Sequence, residues 1–253
     1  MQNASSTSWK SVLANPARAS HILQIYDSDD FVAAAVAHFA AEGLKNGEAV
    51  VLTGTKQHLA GIDRELRSLG VELRSSQLLR EDVHEALARA SPVSSLEEVV
   101  ADPRFTGVRW WGEITNALCQ RGEHEAGLAA ERQGDAAARE HGATVFCSYL
   151  TDKFDPRSYD STLMSLCCLH SHVIPAQDYV LHRRAVNCAV SEVVGDIQGT
   201  LLQSLHSWKG LACDLPSSQA LLFWLRDTLP DQFEAVLSRA RAYQEQAGQG
   251  ASA

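Results

Sequence analysis

Long hydrophobic runs are absent from this sequence. No stretch of its 253 residues approaches the ~20 consecutive apolar residues of a membrane-spanning helix, which excludes that class. Positive charge is scarce as well: 22 Lys and Arg stand against 31 Asp and Glu, a net charge of −9. Direct nucleic-acid binding needs a clustered basic face, so no nucleic-acid partner is expected. Cysteine is sparse, and the polar N-terminal segment has no apolar core of a secretory signal. Cys119, Cys147, Cys167, Cys168, Cys188 and Cys213 therefore read as reduced thiols of a cytoplasmic protein. No Gly-x-Ser-x-Gly elbow occurs, which removes the usual hydrolase nucleophile.

What remains is an ordinary globular composition. Hydrophobic residues make up 45%, enough for a core, and the length suits one large domain or a domain with an appendage. Residues 1–18, rich in Ser and Asn, read as a disordered lead-in. His21 to Tyr26 reads as a strand, and Phe31 to Leu44 as a helix closed by Gly43 and Gly47. Ala49-Val50-Val51-Leu52-Thr53 is a short apolar run bounded by glycines, the pattern of a buried parallel strand. A helix is expected over Lys56–Leu69, and an extended piece at Val71-Glu72-Leu73. Helices follow at Asp82–Ala90 and Ser94–Val100. Strands are expected at Gly107–Trp111 and Ala143–Tyr149, with helices at Glu113–Leu118, Glu125–His141 and Ser161–His170. This alternation predicts an α/β fold with a mainly parallel sheet flanked by helices.

Beyond Pro175 the pattern becomes helical throughout. Val186, Val190, Val193, Ile197, Leu201 and Leu205 recur at steps of three and four, predicting one long helix over Val180–Leu205. Two more helices are expected at Ser218–Arg226 and Pro230–Tyr243, then a loose tail over 247–253. Residues 178–246 thus read as an all-helical output or oligomerisation region. The long stripe wants a partner surface, so a homodimer is expected.

Three groups of residues invite chemistry. After the Ala49–Thr53 strand, Thr53-Gly54-Thr55-Lys56-Gln57-His58 holds one Gly and the Lys of a P-loop but lacks the second Gly and the Ser or Thr after Lys. This degenerate P-loop argues against nucleotide hydrolysis, and the plain reading is a strand-to-helix turn with exposed Lys56. Arg109 and Glu113 lie four apart at a strand end, where open α/β sheets bind ligands. Either Arg109 orients a ligand-facing Glu113, or the two form a structural ion pair. Trp110 and Trp111 face opposite ways; one joins the core and the other can wall an apolar pocket, with Trp111 taken as the ligand-facing member. Cys147, Cys167, Cys168, His170 and His172 form the densest soft-ligand group, with Cys167 and His170 spaced to share a helix face. A metal or redox site, an organic-ligand pocket, and buried cysteines beside a satisfied histidine all fit it. No second ligand pair at zinc-site spacing stands out, so no metal and no cofactor are expected.

Five motifs together resemble one family. They are His21-x4-Tyr26; Gly43-Leu44-Lys45-Asn46-Gly47-Glu48; Arg109-Trp110-Trp111-Gly112-Glu113; Cys147-Ser148-Tyr149; and Cys167-Cys168-Leu169-His170-Ser171. Their order over residues 20–176 resembles the MEDS domain, the sensory domain named for methanogens, methylotrophs and a dichloromethane-responsive repressor. The resemblance implies a fold in the RecA-like lineage and a role in signal transduction, including transcription regulation. Members usually join the domain to a DNA-binding or histidine-kinase module. Here there is no helix-turn-helix and none of the kinase ATP-domain boxes. The motifs nominate His21, Tyr26, Arg109, Trp111, Glu113, Tyr149, Cys167 and His170 as ligand-binding residues, with no catalytic residue. The reading is a cytosolic sensor that binds a small molecule or a signalling protein and relays its state through the C-terminal helices. A divergent RecA-like ATPase and a ligand-free interaction adaptor are the alternatives.

Overall fold

The computed structural model describes residues 9–89, 98–174, 179–196, 198–199, 202 and 216–250. Six parallel strands form one sheet: β1 (His21–Tyr26), β2 (Ala49–Gly54), β3 (Leu78–Asp82), β4 (Val108–Gly112), β5 (Thr144–Leu150) and β6 (His172–Ile174), in the order β3-β2-β4-β5-β1-β6. The helices among them are α1 (Trp9–Ala14), α2 (Asp29–Lys45), α3 (Lys56–Ser68), α4 (Val83–Ala88), α5 (Ile114–Gln120) and α6 (His124–His141). The expected α/β architecture with a parallel sheet is what the chain adopts.

The sheet is buried on both faces, which is why β1 and β2 lack polar alternation. On one face Ile22, Leu52, Trp111 and Phe146 pack against Phe31, Val36 and Phe39 of α2 and Ile62 and Leu66 of α3. On the other, Val51, Trp110 and Val145 meet Ala137 and Ala138 of α6. Adjacent residues of one strand thus serve opposite cores, as the strand period of two requires.

Two compact units emerge. The described residues through Leu150, with Leu169–Ile174, form the first. Thr151–Cys168 and the described residues from 179 onward form the second. Residues 151–168, including most of α7 (Ser161–Leu169), lie within the expected 20–176 span and group with the described C-terminal helices. In the second unit Tyr159 meets Phe223 and Phe233 edge-on, with centroids 5.2 and 5.6 Å apart. Around them stand α8 (Tyr179–Val194), α9 (Ser217–Thr228) and α10 (Pro230–Gly250). Among the described residues no helix is long and apolar enough to cross a membrane.

Several expectations need correction. The lead-in is not wholly without structure: α1 buries Leu13 completely, and Trp9 meets Phe31 edge-on. Six residues are too few to show a helical period. The Val71–Leu73 segment is not a strand; β3 lies further on, at the sheet edge, where a half-exposed Leu-Leu-Arg-Glu-Asp suffices. The long Val180–Leu205 helix is interrupted after Val194 by Gly195 at φ +96°, a left-handed conformation that glycine adopts without strain. Val186 and Val190 are already fully buried in the second unit, while Ile197, Leu201 and Leu205 lie outside the described residues. Of the expected 247–253 tail, 251–253 lie outside them too, and α10 continues to Gly250.

One structural device explains two of the sequence motifs. Arg109, 2% exposed at the start of β4, donates from Nε to Glu48 (2.6 Å). It also donates to the carbonyls of Leu13, Phe39 and Ala14 at 2.8, 3.0 and 3.1 Å. Gly43 leaves the room, since a Cβ there would lie 2.6 Å from Arg109 Cδ and 3.2 Å from Val50 Cγ2. The Arg cannot swing aside, because its acceptors surround it. Gly43→Ala should therefore cost about 1–2 kcal/mol net, overpacking outweighing the ~1 kcal/mol that Ala gains over Gly in a helix. Urea unfolding checks this: the midpoint should fall with the slope unchanged, and a higher midpoint would contradict the packing argument.

Candidate functional site

The first cluster lies at the carboxyl ends of β1, β2 and β4. The chain leaves β2 toward β3 on one side and leaves β4 toward β5 on the other, so the two neighbours diverge at a switch point of the kind that opens a ligand crevice in α/β sheets. Glu113, 1% exposed, is the hub. Its Oε2 accepts from the N–H of Thr55, the residue that caps the start of α3 (3.1 Å). Its Oε1 lies 2.7 Å from His58 Nδ1 and accepts from the Tyr26 hydroxyl at 3.3 Å. Asn116 donates to the same hydroxyl (3.4 Å), and Asp29 holds the far nitrogen of His58 (3.2 Å). Gly54 is required beneath this network: a Cβ there would stand 2.5 Å from the Trp111 ring and 2.9 Å from Glu113 Oε2. Burial pushes His58 down, but Glu113 and Asp29 outweigh it and hold its pKa above the ordinary imidazole value. Burial, then the Glu113 charge, push the Tyr26 phenol up, so it remains a donor.

The second cluster lies toward the other end of β1, where the sheet meets α6. His21, Glu131 and His170 have side chains only 2%, 2% and 0% exposed. Glu131 Oε1 lies 3.0 Å from His21 Nε2 and 2.9 Å from His170 Nε2. The imidazoles are stacked side by side, centroids 3.9 Å apart and tilted 35°. Cys147 Sγ is 3.4 Å from His21 Nε2, and Asp135 Oδ1 is 3.5 Å from His21 Nδ1. Asp135 also pairs with Arg139 one turn on. Burial raises Glu131, but the two imidazoles overcome it and keep the carboxyl well below its usual range. Beside Glu131 a cavity of about 40 Å³ is lined by Trp110, Ile114, Thr115, Glu131 and Val145, among others.

Residues 20–171 match the family model of the methanogen/methylotroph, DcmR sensory domain, MEDS. This chain belongs to the MEDS family. No curated protein matches it. A solved structure of C. elegans PCH-2 aligns over 95% of this chain and 67% of its own at 9% identity, with a TM-score of 0.34.

The nominated residues of this MEDS domain fall in different places. His21 and His170 meet in the second cluster, Tyr26 and Glu113 in the first. Arg109 joins neither. It neither orients nor pairs with Glu113, because the two residues sit at opposite ends of β4 and their partners are Glu48 and His58. Trp111 is core, its Nε1 donating to Ser148 Oγ (2.9 Å); the tryptophan that walls the cavity is Trp110. Tyr149 is half-buried on β5. Cys167 is buried on α7 in the second unit, and His170 follows the end of that helix, so they are not one-turn neighbours on a helix face. Sequence reasoning missed Glu131, Asp135, His58 and Asp29. The α6 residues had a signal: Gly127, Glu131, Asp135 and Ala138 are one buried stripe at helical spacing, with two carboxylates where small apolar residues belong.

Proposed function

We propose that this MEDS protein is a cytosolic signal-transduction sensor, not an ATPase. Its α/β domain responds to a small molecule or a signalling protein, and its C-terminal helices pass the state to an output partner or a second copy of the chain. The observation that carries this reading is the Glu113 carboxylate on the α3 N-terminus. A helix N-terminus holds phosphate through free N–H groups and its positive dipole end. At α3 an internal carboxylate takes that place on the Thr55 N–H. At α2, Asp29 and Asp30 occupy the first turn. A polyphosphate entering the crevice would meet carboxylates at both helix starts, with Lys56 exposed beside them.

A thermal-shift panel tests the reading. Magnesium complexes of ATP, ADP and GTP should leave the melting temperature unchanged. A small ligand at about 100 times its Kd should stabilise by ~2.7 kcal/mol, a rise of several degrees. A dose-dependent nucleotide shift that disappears in Lys56→Ala would overturn it.

A further inference from the structure

We infer that His21, Glu131, Cys147 and His170 form a binding site for one divalent transition-metal ion, with zinc the best match to the ligand set. The four come from the start of β1, the middle of α6, β5 and the segment after α7, and one ligand atom from each lies within 4.8 Å of all the others. With metal–nitrogen and metal–oxygen bonds of ~2.0–2.2 Å and metal–sulfur of ~2.3 Å, neighbouring ligand atoms of a tetrahedron stand roughly 3.3–3.6 Å apart. Glu131 Oε1 stands 2.9 Å from His170 Nε2 and 3.0 Å from His21 Nε2, about 0.3–0.4 Å inside those edges, and His21 Nε2 stands 3.4 Å from Cys147 Sγ, on one of them.

Hydrogen bonding leaves the arrangement incompletely satisfied. Glu131 Oε1 is buried and near two imidazole nitrogens, yet it has no partner in hydrogen-bonding geometry. A dication there would compensate a buried carboxylate and a thiolate, which otherwise carry a large desolvation cost. Two imidazoles, a carboxylate and a thiolate are the borderline set that zinc takes. The outer contacts fit as well. The Asp135 carboxylate, itself held by Arg139, stands 3.5 Å from His21 Nδ1, near enough to take that N–H once Nε2 binds the ion. The inference goes beyond the sensory reading and does not depend on it: metal uptake can fail while the nucleotide panel comes out as expected, and the reverse.

Cobalt(II) is the probe. The full chain, stripped with a chelator, should take up one equivalent, with the visible bands of tetrahedral cobalt and a near-ultraviolet thiolate-to-cobalt charge-transfer band. Zinc should displace it stoichiometrically. Cys147→Ser, a near-isosteric change, should remove the charge-transfer band while keeping the fold. His170→Ala should abolish stoichiometric uptake, and Asp135→Asn should weaken it roughly 10–100-fold. No stoichiometric uptake by the wild type, or a cobalt spectrum unchanged in both Cys147→Ser and His170→Ala, would overturn the site and leave a proton-bridged His–Glu–His network in its place.

Discussion

Arg109→Leu should unfold the domain or cost it about 3–5 kcal/mol, the range for removing one partner of a buried ion pair. The guanidinium serves four acceptors at once: the Glu48 carboxylate and the carbonyls of Leu13, Ala14 and Phe39. Leu fills space but donates nothing, so all four lose their buried donor, and each orphaned group carries its own penalty. The helix α1 should be released as well, because two of those carbonyls are its own. Arg109→Lys keeps the charge but cannot reproduce the planar fork, so an intermediate loss is expected. Urea denaturation, with proteolysis of the first 18 residues as a second probe, measures both effects. A loss under about 1 kcal/mol for Arg109→Leu would show that the network does not hold the N-terminal segment.

Glu113→Ala should be nearly as damaging to the crevice, costing about 3 kcal/mol, since it removes the acceptor of the Thr55 N–H and of the Tyr26 hydroxyl and leaves His58 with Asp29 alone. The same network sets a pH dependence. His58 has a raised folded-state pKa, so it binds its proton more tightly folded than unfolded. Its contribution is therefore full below the unfolded value near ~6.5 and is lost as pH rises through the folded value. The groups facing it are Glu113, Asp29 and Tyr26. The stability difference between wild type and His58→Gln should be greatest near about pH 6 and shrink toward about pH 9. In a Glu113→Gln background that pH dependence should largely vanish. A difference that grows with pH would contradict the assignment.

Much of the fold is legible along the chain because parallel strands buried on both faces leave unmistakable apolar runs. Ala49–Thr53 and Ala143–Tyr149 are examples, and the glycines at 43 and 47 mark the end of α2 plainly. The edge strand β3 is not legible, because Leu78–Asp82 needs to please only one neighbour and carries charge. Nor is α1, whose order comes from a residue about 95 positions away in the sequence. The sites follow the same division. His21, Tyr26, Glu113 and His170 stand in motifs, but which of them meet is decided by strand register and by α6. The pairing of Arg109 with Glu113 failed because four residues on a strand span its whole length. Glu131 escaped notice because a carboxylate in a helical stripe reads as a solvated face until the helix is seen to turn it inward.

Phosphate release from magnesium-ATP by the full chain tests most directly whether the strand-end crevice is closed to nucleotide by its own carboxylates. The expected result is no release above background, with Lys56→Ala indistinguishable from wild type. Magnesium-dependent release that Lys56→Ala abolishes would contradict the sensor reading and return the crevice to nucleotide chemistry.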